Sequence, residues 1–322
     1  MKFRTMLLGA MISIAAGFTP ALSQEYPTKP IKIIVPFAPG ATDPIVRALV
    51  PSMSAELGKP IVIENQDGAG GAIGTTAVKN ASADGYTLLF TNYSSMGIIP
   101  QIRNVSYSKD DFLPLGTVTG TPLVLAARKE VPYNDAKSLV EFAKANPKAV
   151  KVGHAGLGSA SHLDAEVLQF HAKAKFLFVP YRGVANAQLA LLSGDVDLLF
   201  AYPSVVAPHV EAGKVKIIAL ADEERFPLLP DVPTFREAGL PVFDNLKAAI
   251  FAPKNIPSSV AKKLEVAIAN AVKSAEFQDY IKKSQSGALY YSSEDSVKAV
   301  NAYYDYWKEN FAENDELMKS LK

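Results

Sequence analysis

Short apolar runs alternate with amphipathic segments along most of the chain. The run "IKIIVPF" (31–37) predicts a buried strand, and the apolar residues from Ile45 to Leu57 recur at helical spacing. The same order returns later, where "AVKVGH" (149–154) predicts a strand and "LDAEVLQFHA" (163–172) a helix. Strands that alternate with helices across short turns are typical of α/β proteins with mainly parallel sheets. We therefore expect an α/β fold.

Both of these strand–helix pairs pass through a glycine-containing corner, at 39–43 and at 153–161. The first turn of a helix presents unpaired backbone N–H groups and the positive end of the helix dipole. Glycine lets a ligand approach the backbone closely. Two such corners that face each other would form a cradle for an anionic group. Two ordinary strand-to-helix turns explain the pattern equally well, so both interpretations stay open here.

The length of 322 residues allows two domains, because single cores usually divide beyond about 250 residues. The segment "KAAIFAPKNIP" (247–257) indicates a return of the chain to the first domain, and a well-formed amphipathic helix follows it.

The first 23 residues predict a cleaved secretory signal peptide. Lys2 and Arg4 form a basic start, Met6 to Phe18 form a short apolar run, and small residues precede the expected cleavage after Ser23. The apolar run is shorter than the ~20 residues needed to span a bilayer. The chain has no cysteine, which excludes disulfides and thiolate chemistry. We expect a protein that works outside the cytoplasm.

Charge and motifs give little support to nucleic-acid binding or catalysis. Without the predicted signal peptide, the chain carries 31 basic and 32 acidic residues, which gives no general reason to bind nucleic acid. The glycines of "GAGGAIG" (68–74) fall as GxGxxxG, which departs from the dinucleotide fingerprint. Ser159 and His162 suggest a nucleophile and base, although a serine at a helix start is more often a cap. We predict no catalytic residue, no cofactor and no metal site.

Several motifs, in order, carry a family resemblance that covers nearly the whole mature chain. They are "YPTKPIKIIVPFAPGATD", "IVIENQDGAGGAIGTTAVKNASADGYTLLF", "GLGSASHL", "VPYRGVANAQLALLSGDVDLLF", "PHVEAGKVKIIALA", "LLPDVPTFREAGLP" and "FAPKNIPSSVAKKL". With them the chain resembles the periplasmic substrate-binding proteins of tripartite tricarboxylate transporters, often called the Bug family. The resemblance implies a two-lobed Venus-flytrap fold without catalytic activity.

The resemblance also implies that a small organic anion is held by its carboxylate between the two corners, with ordered waters as bridges. Three departures from the family pattern bear on the ligand: Lys247 stands where an aromatic residue is common, Ala201 where an Asp is common, and His154 where a small hydroxyl residue is common. A Lys in the pocket would pair with a second carboxylate, although a solvated Lys is the alternative. The first corner is also shorter than usual. The predicted ligand-binding residues are Phe37, Pro39, Gly40, Ala41, Thr42, Asp43, Tyr93, Ser94, Ser95, His154, Gly156, Gly158, Ser159, Ala160, Ser161, Ala201 and Lys247.

Together these points predict a monomeric periplasmic protein that binds a dicarboxylate or aromatic carboxylate, adipate-like or terephthalate-like, and delivers it to a membrane permease. We expect residues 24–125 and 247–322 to form lobe 1 and residues 126–246 to form lobe 2. Two alternatives remain: a sensory subunit for a membrane kinase, and a secreted serine hydrolase that uses Ser159 and His162.

Overall fold

The structure is a computed structural model that describes residues 26–37, 39, 42–243, 245–284 and 286–321. The predicted signal peptide lies outside these residues. The strands are β1 Ile31–Val35, β2 Ile61–Asn65, β3 Thr87–Asn92, β4 Phe112–Arg128, β5 Lys151–His154, β6 Leu177–Pro180, β7 Leu198–Ala201, β8 Val215–Ala221, β9 Asn245–Pro253 and β10 Ala288–Tyr291. The helices are α1 Asp43–Leu57, α2 Ala72–Lys79, α3 Ser94–Gly97, α4 Ile99–Ile102, α5 Ala136–Ala145, α6 Ala160–Ala172, α7 Val184–Ser193, α8 Pro203–Glu211, α9 Ser258–Lys273, α10 Ala275–Lys283, α11 Ser293–Glu313 and α12 Asp315–Ser320. Within the described ranges, every helix is too short or too polar to cross a membrane.

The expected α/β fold is confirmed, with sheets that are mixed rather than mainly parallel. In the first sheet β2, β1 and β3 are parallel, while β9, β4 and β10 add antiparallel pairs. In the second sheet β6, β5 and β7 are parallel, and β4 pairs with β7 and β8 in the antiparallel sense. The antiparallel pairs arise because β4 leaves the first sheet for the second and β9 returns beside it.

Strand β4 joins the two sheets. Its residues up to Pro122 pair with β9, and its residues from Leu123 pair with β8. The expected lobe limits at 125 and 247 lie within a few residues of these changes in pairing. The division into lobes 24–125 with 247–322 and 126–246 stays a prediction at the level of whole domains.

The C-terminal helices contact both sheets, whereas the predicted division assigns them to lobe 1 alone. At its start, α11 lies on the first sheet, where the Ser296 hydroxyl bonds Thr117 at 2.8 Å. Farther along, Trp307 and Phe311 belong to the same hydrophobic cluster as Phe200 of the second sheet, and Leu317 of α12 does as well. The end of the chain therefore closes the core of the second sheet, although the prediction assigned 247–322 to lobe 1.

Candidate functional site

The directions of the strands place the two corners at facing ends of the sheets. Strand β1 runs parallel to β3, and both run in the same sense as β4, so the end of β1 at Val35 points toward the second sheet. Strand β5 is parallel to β7, which is antiparallel to β4, so His154 ends β5 toward the first sheet. Ligands of α/β proteins bind beyond the carboxyl ends of such strands.

Polar contacts hold the first corner onto its own sheet. The Asp43 side chain is buried at the start of α1, and its Oδ2 accepts a hydrogen bond from Arg47 Nε at 2.8 Å. Arg47 also reaches Asn65 Oδ1 at 3.3 Å, and Asn65 Nδ2 donates to the carbonyl oxygen of Phe37 at 2.9 Å. Asp43 is thus a support of the corner, and its carboxylate is not presented to an anionic ligand.

The remaining predicted residues of the first corner are less enclosed. Thr42 occupies the N-cap position of α1 without a hydrogen bond from its side chain, and Pro39 is exposed. The half-buried ring of Phe37 lies against Gly71, where an added Cβ atom would stand 3.1 Å from Phe37 Cε1. Gly40 and Ala41 lie outside the described residues.

The second corner is a tight glycine loop that leads into α6. Gly156 and Gly158 have φ values of 113° and 75°, which favour glycine. The Ser159 hydroxyl donates to the carbonyl oxygen of Gly156 at 2.7 Å and accepts from the N–H of His162 at 3.4 Å, as an N-cap does. The Ser161 hydroxyl accepts from the N–H of Ala155 at 2.9 Å. These contacts fix the loop on the helix that it precedes.

The start of α6 can bind an anion. Ala160 and Ser161 are the first two residues of the helix, and the helix has no acceptor for their backbone N–H groups. The dipole of the 13-residue helix adds positive potential at the same end. A carboxylate placed there would accept charge-assisted hydrogen bonds from these N–H groups.

Two buried histidines lie directly below this loop. The rings of His154 and His162 are 4.5 Å apart between centroids, and both side chains are almost fully buried. Burial lowers the pKa of His154, and burial with the neighbouring His154 lowers the pKa of His162 to about 4. His154 therefore packs beneath the corner and does not line an open surface, and both rings are neutral at pH 7.

The contacts of Ser159 argue against the hydrolase alternative. Its hydroxyl donates to Gly156, whereas the His162 ring accepts the N–H of Gly158 at Nδ1 and directs Nε2 toward Glu166 at 3.7 Å. A serine nucleophile needs the base within hydrogen-bond distance of its hydroxyl. Ser159 serves as a helix cap instead.

Comparison with known proteins shows the family of the chain. Residues 45–313 match the model of the tripartite tricarboxylate transporter family receptor, TctC. The chain belongs to this family. Protein BugT of Bordetella pertussis is 33% identical over 275 residues, which cover 83% of this chain and 84% of BugT. Family and fold are those of substrate-binding proteins and not of enzymes, so the hydrolase alternative is wrong.

Solved structures of TctC-type proteins show the same fold. A TctC solute-binding protein from Polaromonas superposes with a TM-score of 0.82 at 25% identity, over 89% of this chain and 99% of the other. R. palustris Rpa4515 with adipate gives a TM-score of 0.72 at 25% identity, over 92% and 98% of the two chains. MatC from Rhodopseudomonas palustris with bound malate gives 0.70 at 30% identity, over 88% and 99%. The two-lobed binding-protein fold of the TctC structure confirms the expected fold class.

In this TctC-family chain, the three residues after β3 alternate between buried and partly exposed positions. Tyr93 is buried, and its hydroxyl lies 2.6 Å from that of Thr117, on the side of α11. Ser95 is also buried, and its hydroxyl is 2.7 Å from that of Thr91. Ser94 is partly exposed and bonds Asn92. Of the three predicted wall residues, only Ser94 is therefore available to a ligand in this conformation.

Lys247 and Ala201 lie on strands next to β4. Ala201 ends β7 and is fully buried by its neighbours. Lys247 is half-buried on β9 and lines a cavity of about 730 Å³ together with Tyr291 and with Asp222 and Glu223, which follow β8. The described residues of the two corners do not line this cavity. Lys247 thus lines a cavity whose walls also carry the acidic residues Asp222, Glu223, Glu224 and Asp279.

Three residues at or beside the two corners are absent from the list of predicted ligand-binding residues. Arg47 and Asn65 hold the first corner, and Leu157, between the two glycines of the second corner, is 66% exposed. An apolar residue at the tip of a glycine loop is a usable signal for Leu157. Arg47 and Asn65 meet only through the pairing of β1 with β2, which no local pattern predicts. Among the described residues no group of His, Asp or Glu has a metal-binding arrangement.

Proposed function

We propose that this TctC-family receptor captures a small dicarboxylate in the periplasm and delivers it to a tripartite tricarboxylate-type permease. The observation that carries the proposal is the loop at 156–159, which brings the first N–H groups of α6 to the end of the second sheet that faces the first. A carboxylate matches these donors in charge and in hydrogen-bond type.

Two similar solved structures support a dicarboxylate as the class of ligand. The structures with adipate and with malate each hold an acid with two carboxylates, and both cover nearly the whole chain. The buried, uncharged Ala201 offers no partner for a ligand amine, which favours plain dicarboxylates over amino acids. We propose that the second carboxylate extends from the corner toward Lys247, whose cavity Asp222 and Glu223 also line. The contribution expected of Lys247 is therefore modest.

Isothermal titration of the mature protein against adipate, malate, terephthalate, monocarboxylates and amino acids tests the proposal. Tight binding of a dicarboxylate is expected, and tight binding of amino acids alone would contradict it.

A pair of cap variants tests the site itself. Ser159→Ala and Ser292→Ala each remove a serine N-cap, of α6 and of α11 respectively. Each should lower the free energy of unfolding by about 1 kcal/mol. Only Ser159→Ala should weaken binding of the dicarboxylate. Equal affinity of the two variants for the dicarboxylate would show that the ligand does not bind at this corner.

Delivery and location need separate experiments. Deletion of the gene should abolish uptake of the bound acid, whereas a sensory subunit would instead be needed for the transcriptional response to that acid. N-terminal sequencing of the mature protein should begin at Gln24, after the predicted signal peptide. Light scattering should give the mass of one chain, with and without ligand.

A further inference from the structure

A histidine anchors the centre of the second corner from below. The backbone N–H of Gly158 donates to Nδ1 of His162 at 3.3 Å. His162 is the third residue of α6, and in a capping box the side chain at this position accepts from the N-cap residue. Here the ring reaches one residue farther back, past the Ser159 cap to the glycine before it.

The bond requires one particular form of the ring. Nδ1 accepts only when it carries no proton, so the neutral ring holds its proton on Nε2. Nε2 points toward Oε1 of Glu166 at 3.7 Å, while the other Glu166 oxygen accepts from Gln169 at 3.2 Å.

The surroundings keep the ring neutral. The His154 ring of β5 stacks against His162, and Phe178 of β6 meets it edge-on. Glu166 is the ionisable group that faces it from its own helix, and Asp164 is buried on the same helix. Burial with His154 beside it lowers the pKa of His162 to about 4.

The consequence lies in the peptide between Leu157 and Gly158. The N–H and C=O of a peptide point in opposite directions, so the bond to His162 turns the Gly158 N–H inward and fixes the orientation of the whole group. Gly158 can adopt other backbone conformations at low cost. A protonated His162 would instead donate from Nδ1 and favour the opposite orientation, with the Leu157 carbonyl oxygen turned inward.

We propose that His162, as a neutral acceptor, is the positioning residue that sets the shape of the carboxylate-binding loop. The proposal rests on the proposed function for its effect on affinity, because His162 itself is buried beneath the loop and does not contact the ligand.

Two substitutions with the same number of side-chain heavy atoms separate the acceptor from the packing. In His162→Asn the side-chain oxygen can take the place of Nδ1, whereas His162→Leu has the same shape without an acceptor. Neither side chain reproduces the imidazole ring beside His154 and Phe178, and burial disfavours the polar Asn relative to Leu, so a purely structural role would not weaken His162→Leu more than His162→Asn. Affinity for adipate and for malate is measured at pH 7.5 by titration calorimetry on the wild type and both variants.

We expect His162→Leu to bind about fivefold to tenfold more weakly than His162→Asn, because one hydrogen bond to the loop is lost. Between pH 7 and pH 4, wild-type affinity should fall relative to that of His162→Asn under the same conditions. Equal dissociation constants for the Asn and Leu variants would overturn the proposal, and so would parallel pH profiles of the wild type and His162→Asn.

A measurement on the ligand-free wild type keeps this test separate from that of the proposed function. Nitrogen NMR at pH 7 should show His162 as the neutral tautomer with its proton on Nε2, and the Gly158 amide should exchange slowly with solvent. A proton on Nδ1, or rapid exchange at Gly158, would overturn the proposal whether or not adipate binds. The expected tautomer without binding of any acid would instead reject the proposed function.

Discussion

Gly158 holds a backbone conformation that few other residues adopt. Its φ is 75°, and the nearest atom to an added Cβ would be Leu321 Cδ2 at 3.7 Å, so backbone strain and not crowding opposes a side chain. Gly158→Ala should cost about 1 kcal/mol of unfolding free energy and weaken dicarboxylate binding at least about fivefold, because strain at the corner displaces the donors. Gly194→Ala is the matched control, since Gly194 has a φ of 85° with open space around it and ends α7. Urea denaturation and calorimetry check both; equal affinities would show that the shape of this loop does not govern binding.

The buried histidine pair makes stability depend on pH. The folded pKa of His162 lies near 4, below the ordinary 6.5, so the unfolded chain takes up the proton first as pH falls. Unfolding free energy should therefore decline between pH about 6.5 and 4, by about 3 kcal/mol from His162 at about 1.4 kcal/mol per pKa unit. Thermal unfolding across this range measures it. His162→Asn should flatten part of the decline, and an unchanged slope in that variant would assign the loss to other groups.

Helix α12 is short, yet it covers the core of the second sheet. Leu317 is fully buried in the cluster that contains Trp307 and Phe200, whereas Leu189 on α7 is 64% exposed. Leu317→Ala should lower unfolding free energy by about 2–5 kcal/mol, because it leaves a cavity. Leu189→Ala should change it by less than about 0.5 kcal/mol. Chemical denaturation compares the two, and similar values would mean that α12 is not part of the core.

The sequence predicts the elements that form from local signals better than those that depend on distant partners. The strands at 31–35 and 151–154 lie within the apolar runs that predict them. The apolar run that identifies β4 as a strand begins only at Pro122, whereas the strand itself begins at Phe112, because Pro114 and Gly116 interrupt the run. Pairing with β9 overrides this signal through a shift in register at those two residues.

The same distinction holds for the candidate site. The second corner follows from neighbouring glycines and from the Ser159 cap, so its geometry is available from a few residues in sequence. No local pattern shows on which faces of the sheets Tyr93 and Lys247 lie. Their positions depend on the registers of β3, β9 and β4 and on the packing of α11, which long-range contacts set.

At the scale of the whole molecule, the chain passes between the sheets along adjacent strands, and a ligand held at both facing ends would favour their approach. Lys247 lies on one of these strands, β9, paired with Gly120 of the other. Asp222 and Glu223, at the end of β8, line the same cavity from the second sheet, and Lys282 of α10 lines it from the first.

Lys247→Met therefore distinguishes a contact with the ligand from a contact between the sheets. If Lys247 meets the second carboxylate, the variant should bind adipate about threefold to tenfold more weakly and leave binding of a monocarboxylate unchanged, since only the longer acid brings a second charge. Asp222 and Glu223, which line the same cavity, keep the expected loss at the lower end of what a charged pair gives. Lys282→Met is the control, because Lys282 is an exposed cation of the same cavity on the surface of α10.

Calorimetry with both acids on both variants measures the effect. An equal loss for the two acids in Lys247→Met would assign Lys247 to closure of the sheets through Asp222 and Glu223, and a loss confined to Lys282→Met would place the second carboxylate nearer α10.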